Sequence, residues 1–120
     1  MKLAMIGLGR MGGNMVKRLA EGGHEIIAYD VDAAPGKALE AEFSSVTAVS
    51  DLADLIAGLE APRAIWVMVP HQFVDSSIAA LLEAGVEAGD LIIDGGNSNY
   101  KEGQRRGIEL AEKGVLFADC

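Results

Sequence analysis

Three glycines and one carboxylate carry the recognisable chemistry of this chain. Gly7, Gly9 and Gly12 stand in the run Gly7-Leu8-Gly9-Arg10-Met11-Gly12, directly after the apolar stretch Lys2-Leu3-Ala4-Met5-Ile6. Asp30 closes the next apolar stretch, Glu25-Ile26-Ile27-Ala28-Tyr29. The order predicts a strand, a tight turn, a helix and a second strand, and each residue type then has a task. Gly7 permits the turn off the strand. Gly9 has no Cβ, so backbone can come close to a diphosphate, and Gly12 lets helix and strand pack closely. The helix start offers N–H groups and a positive dipole end to an anion. A carboxylate at the end of the second strand can accept hydrogen bonds from both hydroxyls of a ribose. Together these features predict a dinucleotide site. A 2′-phosphate set against Asp30 would meet like charge, and Val31 and Asp32 bring no cation to relieve it. The expected cofactor is therefore NAD rather than NADP.

A second motif, Asp94-Gly95-Gly96-Asn97-Ser98-Asn99-Tyr100, follows the apolar run Leu91-Ile92-Ile93. Its glycines would let a ligand approach the backbone, and Asn97 and Ser98 offer donors and acceptors suited to a hydroxyl-rich substrate. The same residues could simply cap the helix that follows. On chemistry alone both readings stand.

The elements that must position these motifs follow from hydrophobic pattern. Strands are expected at Leu3 to Ile6, Ile26 to Tyr29, near Val46 to Val49, Ala64 to Val69, Leu91 to Ile93 and Val115 to Ala118. They are apolar on consecutive residues, as strands buried on both faces are. Helices are expected at about Met11 to Glu21, after a cap at Asp32 with Pro35 in the first turn, at Leu52 to Ala57 after Ser50 or Asp51, at Val74 to Glu83, and at Tyr100 to Lys113. Alternating strands and helices predict an α/β fold, a Rossmann-type doubly wound parallel sheet in three layers with about six strands.

The 120 residues fit one domain. Half are hydrophobic but only 5% aromatic, so the core is aliphatic. A net charge of −8 argues against nucleic acid or an anionic membrane as partner. No apolar run approaches the ~20 residues of a membrane span. One cysteine, Cys120, gives no disulfide framework, suits a reducing cytoplasm and has no base near it in sequence. No His/Cys/Asp cluster has metal-ligand spacing. Met15 and Trp66 read as core, Lys17 and Arg18 as a solvated helix face, His24 as structural and His71 as a surface-loop residue. Arg10 is either a phosphate-steering cation or a solvated side chain.

The pairing of Ala4-Met5-Ile6-Gly7-Leu8-Gly9-Arg10-Met11-Gly12-Gly13-Asn14-Met15 with Ile92-Ile93-Asp94-Gly95-Gly96-Asn97-Ser98 resembles the 6-phosphogluconate dehydrogenases of the β-hydroxyacid dehydrogenase superfamily. The first motif is common to that superfamily; Asp-Gly-Gly-Asn-Ser is far more particular to the phosphogluconate enzymes. The likeness covers all 120 residues, as the amino-terminal coenzyme domain of a longer enzyme. It implies a β-hydroxyacid oxidation with NADP or NAD, then loss of CO2 to give ribulose 5-phosphate in the pentose phosphate pathway. It also implies cofactor contacts from Gly7, Leu8, Gly9, Arg10, Met11 and Gly12, from Asp30 and Val31, and from Met68, Val69, Pro70 and Asn97. Asn97 and Ser98 would meet the substrate. Two departures matter. NADP-dependent members carry an Asn-Arg-Thr-like stretch where this chain has Asp30-Val31-Asp32, which again favours NAD. Many members have a lysine where this chain has Pro70-His71, so any contact from that lysine does not transfer.

The family's catalytic lysine and general-acid glutamate fall beyond Cys120, so no catalytic residue is expected in this chain. Alone it is expected to be inactive, and the full-length enzyme is expected to be a homo-oligomer. Two rivals remain. One is a 3-hydroxyisobutyrate or tartronate semialdehyde reductase domain, which usually has a Ser-Thr-type segment where this chain has Gly95 to Ser98. The other is a non-catalytic NAD-binding module.

Overall fold

The computed structural model describes residues 2–95 and 100–119. Strands β1 (Lys2–Ile6), β2 (Glu25–Tyr29), β3 (Val46–Ala48), β4 (Ala64–Val67), β5 (Leu91–Asp94) and β6 (Leu116–Asp119) form one sheet. Its order is β3-β2-β1-β4-β5-β6, and every pair is parallel. Helices α1 (Arg10–Glu21), α2 (Ala33–Glu42), α3 (Leu52–Ala57), α4 (Val74–Ala84) and α5 (Tyr100–Ala111) make the crossovers, with a 3-10 turn at His71–Phe73 leading into α4. The chain winds outward from β1 in one direction, returns, and winds outward from β4 in the other. The order therefore reverses between β1 and β4, and the connections leaving their paired carboxyl ends run to opposite faces of the sheet, which leaves a crevice there.

Local chemistry explains the boundaries. Asp32 caps α2 by accepting from Ala34 N at 3.1 Å, and Asp51, not Ser50, caps α3 by accepting from Asp54 N at 2.8 Å. Gly85, at φ 124°, ends α4 in a backbone region that side chains avoid. The final helix stops at Ala111, two residues short of the expected Lys113, because the backbone turns through Gly114 at φ +77° to start β6.

Two aliphatic clusters flank the sheet. Ile6, Ile65, Val67 and Ile92 pack under Leu55, Val74, Leu81 and Leu110 of α3, α4 and α5. Met5, Ile26 and Ala28 pack against Val16 and Leu39 of α1 and α2, with Met15 and Leu19 half-buried around them. The expectation of strands buried on both faces holds for β1 and β2 but fails for β4 and β5, where buried and half-buried residues alternate. On the face opposite α4 and α5, Trp66 and Ile93 are half-buried and Leu116 is 60% exposed. Trp66 is thus packed against the second cluster as its apolar strand suggested, but at its rim and only partly buried. The helices α1 and α2 reach across β1, β2 and β3 but not across this half of the sheet.

Candidate functional site: a nucleotide groove at the switch point

The turn after β1 forms because only glycine fits it. Gly7 lies at φ +93°, and a Cβ there would come 2.7 Å from the Met68 carbonyl oxygen. Gly7 N donates to Tyr29 O at 2.9 Å and Met68 N to Ile6 O at 2.7 Å, so the turn is laced to both neighbouring strands. Gly12 is buried in the first turn of α1, where a Cβ would run into the Gly7 carbonyl oxygen. Gly9 is different. It is exposed at φ −65°, and a Cβ there would meet no protein atom within 4 Å. Protein packing therefore gives no reason for glycine at position 9, whereas a ligand pressed against the backbone does.

Gly9 is also the N-cap of α1, and no side chain caps that helix or places an acid in its first turn. The leading amides of α1 and its positive end are left for an anion from outside the chain. The residues here fit a diphosphate.

Asp30 stands across this turn, half-buried. Its Oδ2 accepts from Leu8 N at 2.6 Å and its Oδ1 accepts from Asp32 N at 2.9 Å. The carboxylate is thus fixed by two backbone donors, one from the glycine turn itself, and each oxygen keeps a lone pair for a further donor. Gly7, Gly9, Asp30, Val31, Met68, Val69 and Pro70 line one cavity of about 400 Å³. Sequence reasoning had named all seven. It did not name Ile6 and Tyr29, the last residues of β1 and β2, and it missed Phe73, Ser76 and Ser77, which bring the first turn of α4 to the same cavity. Val31 is 93% exposed and Phe73 53% exposed, so the cavity has two uncovered apolar surfaces at its mouth.

Four other expected cofactor residues do not line this cavity. The Leu8 amide is already spent on Asp30, and its side chain is buried. Arg10 faces a neighbouring groove between α1 and α2 with Lys17 and Glu42. Met11 is 67% exposed on the outer side of α1. Gly12 serves the packing of helix on turn. Asn97 and Ser98, like Gly96 and Cys120, lie outside the described residues.

A further polar cluster adjoins the groove. Asp94, fully buried at the carboxyl end of β5, faces Arg106 of α5 at 3.5 Å, and Arg106 Nε also donates to Asp75 of α4 at 2.7 Å. The Arg106 guanidinium holds the Asp75 carboxyl below the usual range against the opposing effect of burial, with Arg105 adding to it. Nothing in the sequence pairs these residues, since they come from three elements. At the amino ends of the strands, just before β5, Asp90 is fully buried and accepts from Arg63 N at 2.7 Å, Glu87 N at 3.0 Å and Arg63 Nη1 at 3.0 Å. Burial alone would raise its carboxyl, but the Glu87 and Arg63 amides and the guanidinium outweigh it and hold it low. Among the described residues no cluster of His, Cys, Asp and Glu could hold a metal ion, and no helix is long and apolar enough to cross a membrane.

A parallel sheet of this order, with an open glycine turn and a fixed acid at its switch point, defines a dinucleotide-binding domain of the doubly wound class. Over residues 2–120 the sequence matches the family described as the NAD binding domain of 6-phosphogluconate dehydrogenase, and the chain belongs to that family. It is 44% identical over 119 residues to the decarboxylating 6-phosphogluconate dehydrogenase of Haemophilus ducreyi, covering 96% of this chain and 24% of that protein. It is 36% identical over 121 residues to the NAD(+)-dependent, decarboxylating 6-phosphogluconate dehydrogenase of Haloferax volcanii, covering 100% of this chain and 38% of that one. The Plasmodium falciparum 6-phosphogluconate dehydrogenase, solved apo, with NADP+ and with 6-phosphogluconate, superposes with a TM-score of 0.88 at 28% identity. That match covers 98% of this chain and 26% of that one. The chain therefore spans less than two-fifths of the length of these relatives. The Mycobacterium tuberculosis 3-hydroxyisobutyrate dehydrogenase shares the fold, with a TM-score of 0.82 at 23% identity.

Proposed function

We propose that residues 1–120 are the coenzyme-binding domain of an enzyme that oxidises and decarboxylates 6-phosphogluconate to ribulose 5-phosphate, and that this domain takes NAD in preference to NADP. The observation that carries the cofactor preference is the fixed Asp30 carboxylate, 2.6 Å from Leu8 N and part of the groove wall. It is poised to accept from a ribose diol. It is held by backbone on both oxygens, which opposes its swinging aside for a 2′-phosphate, and no cation among the described residues lines this cavity to neutralise one. The diphosphate would lie against Gly9 and the start of α1. The flat adenine would find apolar cover from Val31 and Phe73. A bound nicotinamide supplies the hydride acceptor. This chain's residues hold and orient it, and none is assigned an acid or base role. In the intact enzyme Asn97 and Ser98 contact the sugar acid. A reducing cytoplasm, the pentose phosphate pathway and a homo-oligomeric full-length protein belong to the same reading.

The test is a side-by-side titration of the chain with NAD and NADP at matched ionic strength. NAD should bind more tightly. Equal or tighter binding of NADP would remove the assignment of Asp30.

A further inference from the structure

Arg106 is the one buried cation among the described residues, at 4% exposure. Its guanidinium spans two carboxylates on different elements: Nε reaches Asp75 Oδ1 at 2.7 Å and Nη1 reaches Asp94 Oδ2 at 3.5 Å. Both carboxylates stand next to the functional region. Asp94 ends β5 and is followed by Gly95, where a Cβ would strike Trp66 Nε1 and Met68 Sδ. Met68 lines the nucleotide groove. Asp75 lies in the first turn of α4, between the groove residues Phe73 and Ser76. Arg105 reinforces that side, 2.9 Å from Asp75 Oδ2.

Burying a guanidinium is costly, and well-packed apolar residues often stabilise a core as well or better. A planar fork does something that an apolar residue cannot. It fixes two acceptors at a set separation and angle. Here those acceptors belong to the start of the glycine-rich segment and to a wall of the groove.

We propose that Arg106 is a positioning residue that holds the carboxyl end of β5, as far as Gly95, and the first turn of α4 in one register beside the nucleotide groove. Its importance for function rests on the nucleotide reading above; the positioning itself does not. Through Asp94, Gly95 and Met68 on one side, and through Asp75 and Phe73 on the other, Arg106 touches the groove from two directions without lining it.

The experiment compares the chain with Arg106→Lys, which keeps the charge but loses the fork, and with Asp75→Asn. The Asp75 side chain is 56% exposed, so that second variant should fold even if the first does not. Amide hydrogen exchange is read across the sheet. Trp66, the only tryptophan, serves as a fluorescent reporter because its indole packs against Met68 and beneath Gly95. Both variants should exchange about tenfold faster at residues 92–95 and 74–78 while amides of β1 and β2 keep their rates, as a local opening does. Trp66 emission should shift, and NAD affinity should fall about fivefold, a modest change because direct contacts are intact. Even acceleration over the whole sheet with unchanged Trp66 emission would reduce Arg106 to a general stabiliser, and unchanged local rates would overturn the proposal. If the unaltered chain fails to bind NAD, the nucleotide reading falls while the exchange data still decide the role of Arg106.

Discussion

Replacing Asp30 by Asn separates two jobs that the carboxylate does at once. Asp30 accepts from Leu8 N and from Asp32 N, one on each oxygen. An asparagine has one oxygen, so it keeps one of these bonds and turns an NH2 toward the other donor. A hydrogen bond to a charged group contributes about 1.5–3 kcal/mol, and the low end applies to this half-buried site, so a loss of about 1.5 kcal/mol in stability is expected. With unfolding entropy near 2.1 cal/mol/K per residue, a 120-residue chain loses about 4 °C in Tm per kcal/mol, hence about 6 °C. On binding, NAD loses a charge-assisted ribose contact, about 1.5 kcal/mol or roughly tenfold. NADP gains instead. A unit charge pair at ~4 Å in water-like dielectric is worth about 1 kcal/mol, so a phosphate of charge about −2 is relieved of about 2 kcal/mol. The two changes sum to about 3.5 kcal/mol, a shift of more than 100-fold in the ratio of the two dissociation constants. Calorimetric titration with both nucleotides, beside a thermal melt, reads every term. If NAD and NADP weaken by the same factor while Tm falls as expected, then Asp30 acts only by bracing the turn through Leu8 N, and the reasoning for NAD preference is wrong. Asp30→Ala is the poorer test, because it strips both backbone donors of their partner.

The last two glycines of the turn should part company. Gly9→Ala should leave stability within about 1 kcal/mol, since its φ suits alanine and its Cβ meets no protein atom, yet weaken NAD by about tenfold or more in the same titration. Gly12→Ala should instead cost about 1–3 kcal/mol or more in a denaturant melt, because its Cβ runs into the Gly7 carbonyl. Stability should also depend on acid. The folded Asp90 carboxyl is held below its ordinary value of 3.8, so its contribution is complete above that pH and is lost as pH falls through the lower folded value. Melts should therefore be flat near neutrality and decline below about pH 4, and Asp90→Asn should lower stability at pH 7 by about 3–5 kcal/mol while flattening the acid limb. In the intact enzyme, Asn97→Ala should raise the KM for 6-phosphogluconate with NAD affinity nearly unchanged; a loss of NAD affinity would move Asn97 to the cofactor.

Local signals were legible in the sequence and relations between distant elements were not. The glycine turn, the Asp32 cap and the end of α4 at Gly85 each depend on residues a few positions apart, and all stand where the pattern put them. Of the seven groove residues, Gly7, Gly9 and Asp30 were legible for the same reason, whereas Val31, Met68, Val69 and Pro70 came from the resemblance to the phosphogluconate enzymes. Phe73 and Ser76 were missed because α4 was placed as a crossover helix with no reason to tip its first turn into the crevice. The incomplete burial of Trp66 was missed because apolar runs say that a strand is buried but not which helices reach over it. Arg106 carried no sequence signal at all. On a helix of mixed charge it reads as one more solvated cation, and only the sheet brings Asp94 and Asp75 beneath it.

That last contrast has a physical cause. Turn and cap residues act on backbone groups within a few bonds of themselves, so their types suffice to place them. A buried ion pair between separate elements acts only after the sheet has formed, and its energetic return is small because desolvation offsets attraction. Such a pair is therefore weak evidence for stability and better evidence for a geometry that has to be kept. The same logic separates two acids that accept from backbone far away in sequence. Asp90 ties β4 to β5 far from the carboxyl ends of the strands, fully buried and accepting three hydrogen bonds from Arg63 and Glu87. Asp30 ties the glycine turn to β2 at the carboxyl edge and still shows an oxygen face to the groove. Both brace the fold, but only Asp30 does so where a ligand can use what is left.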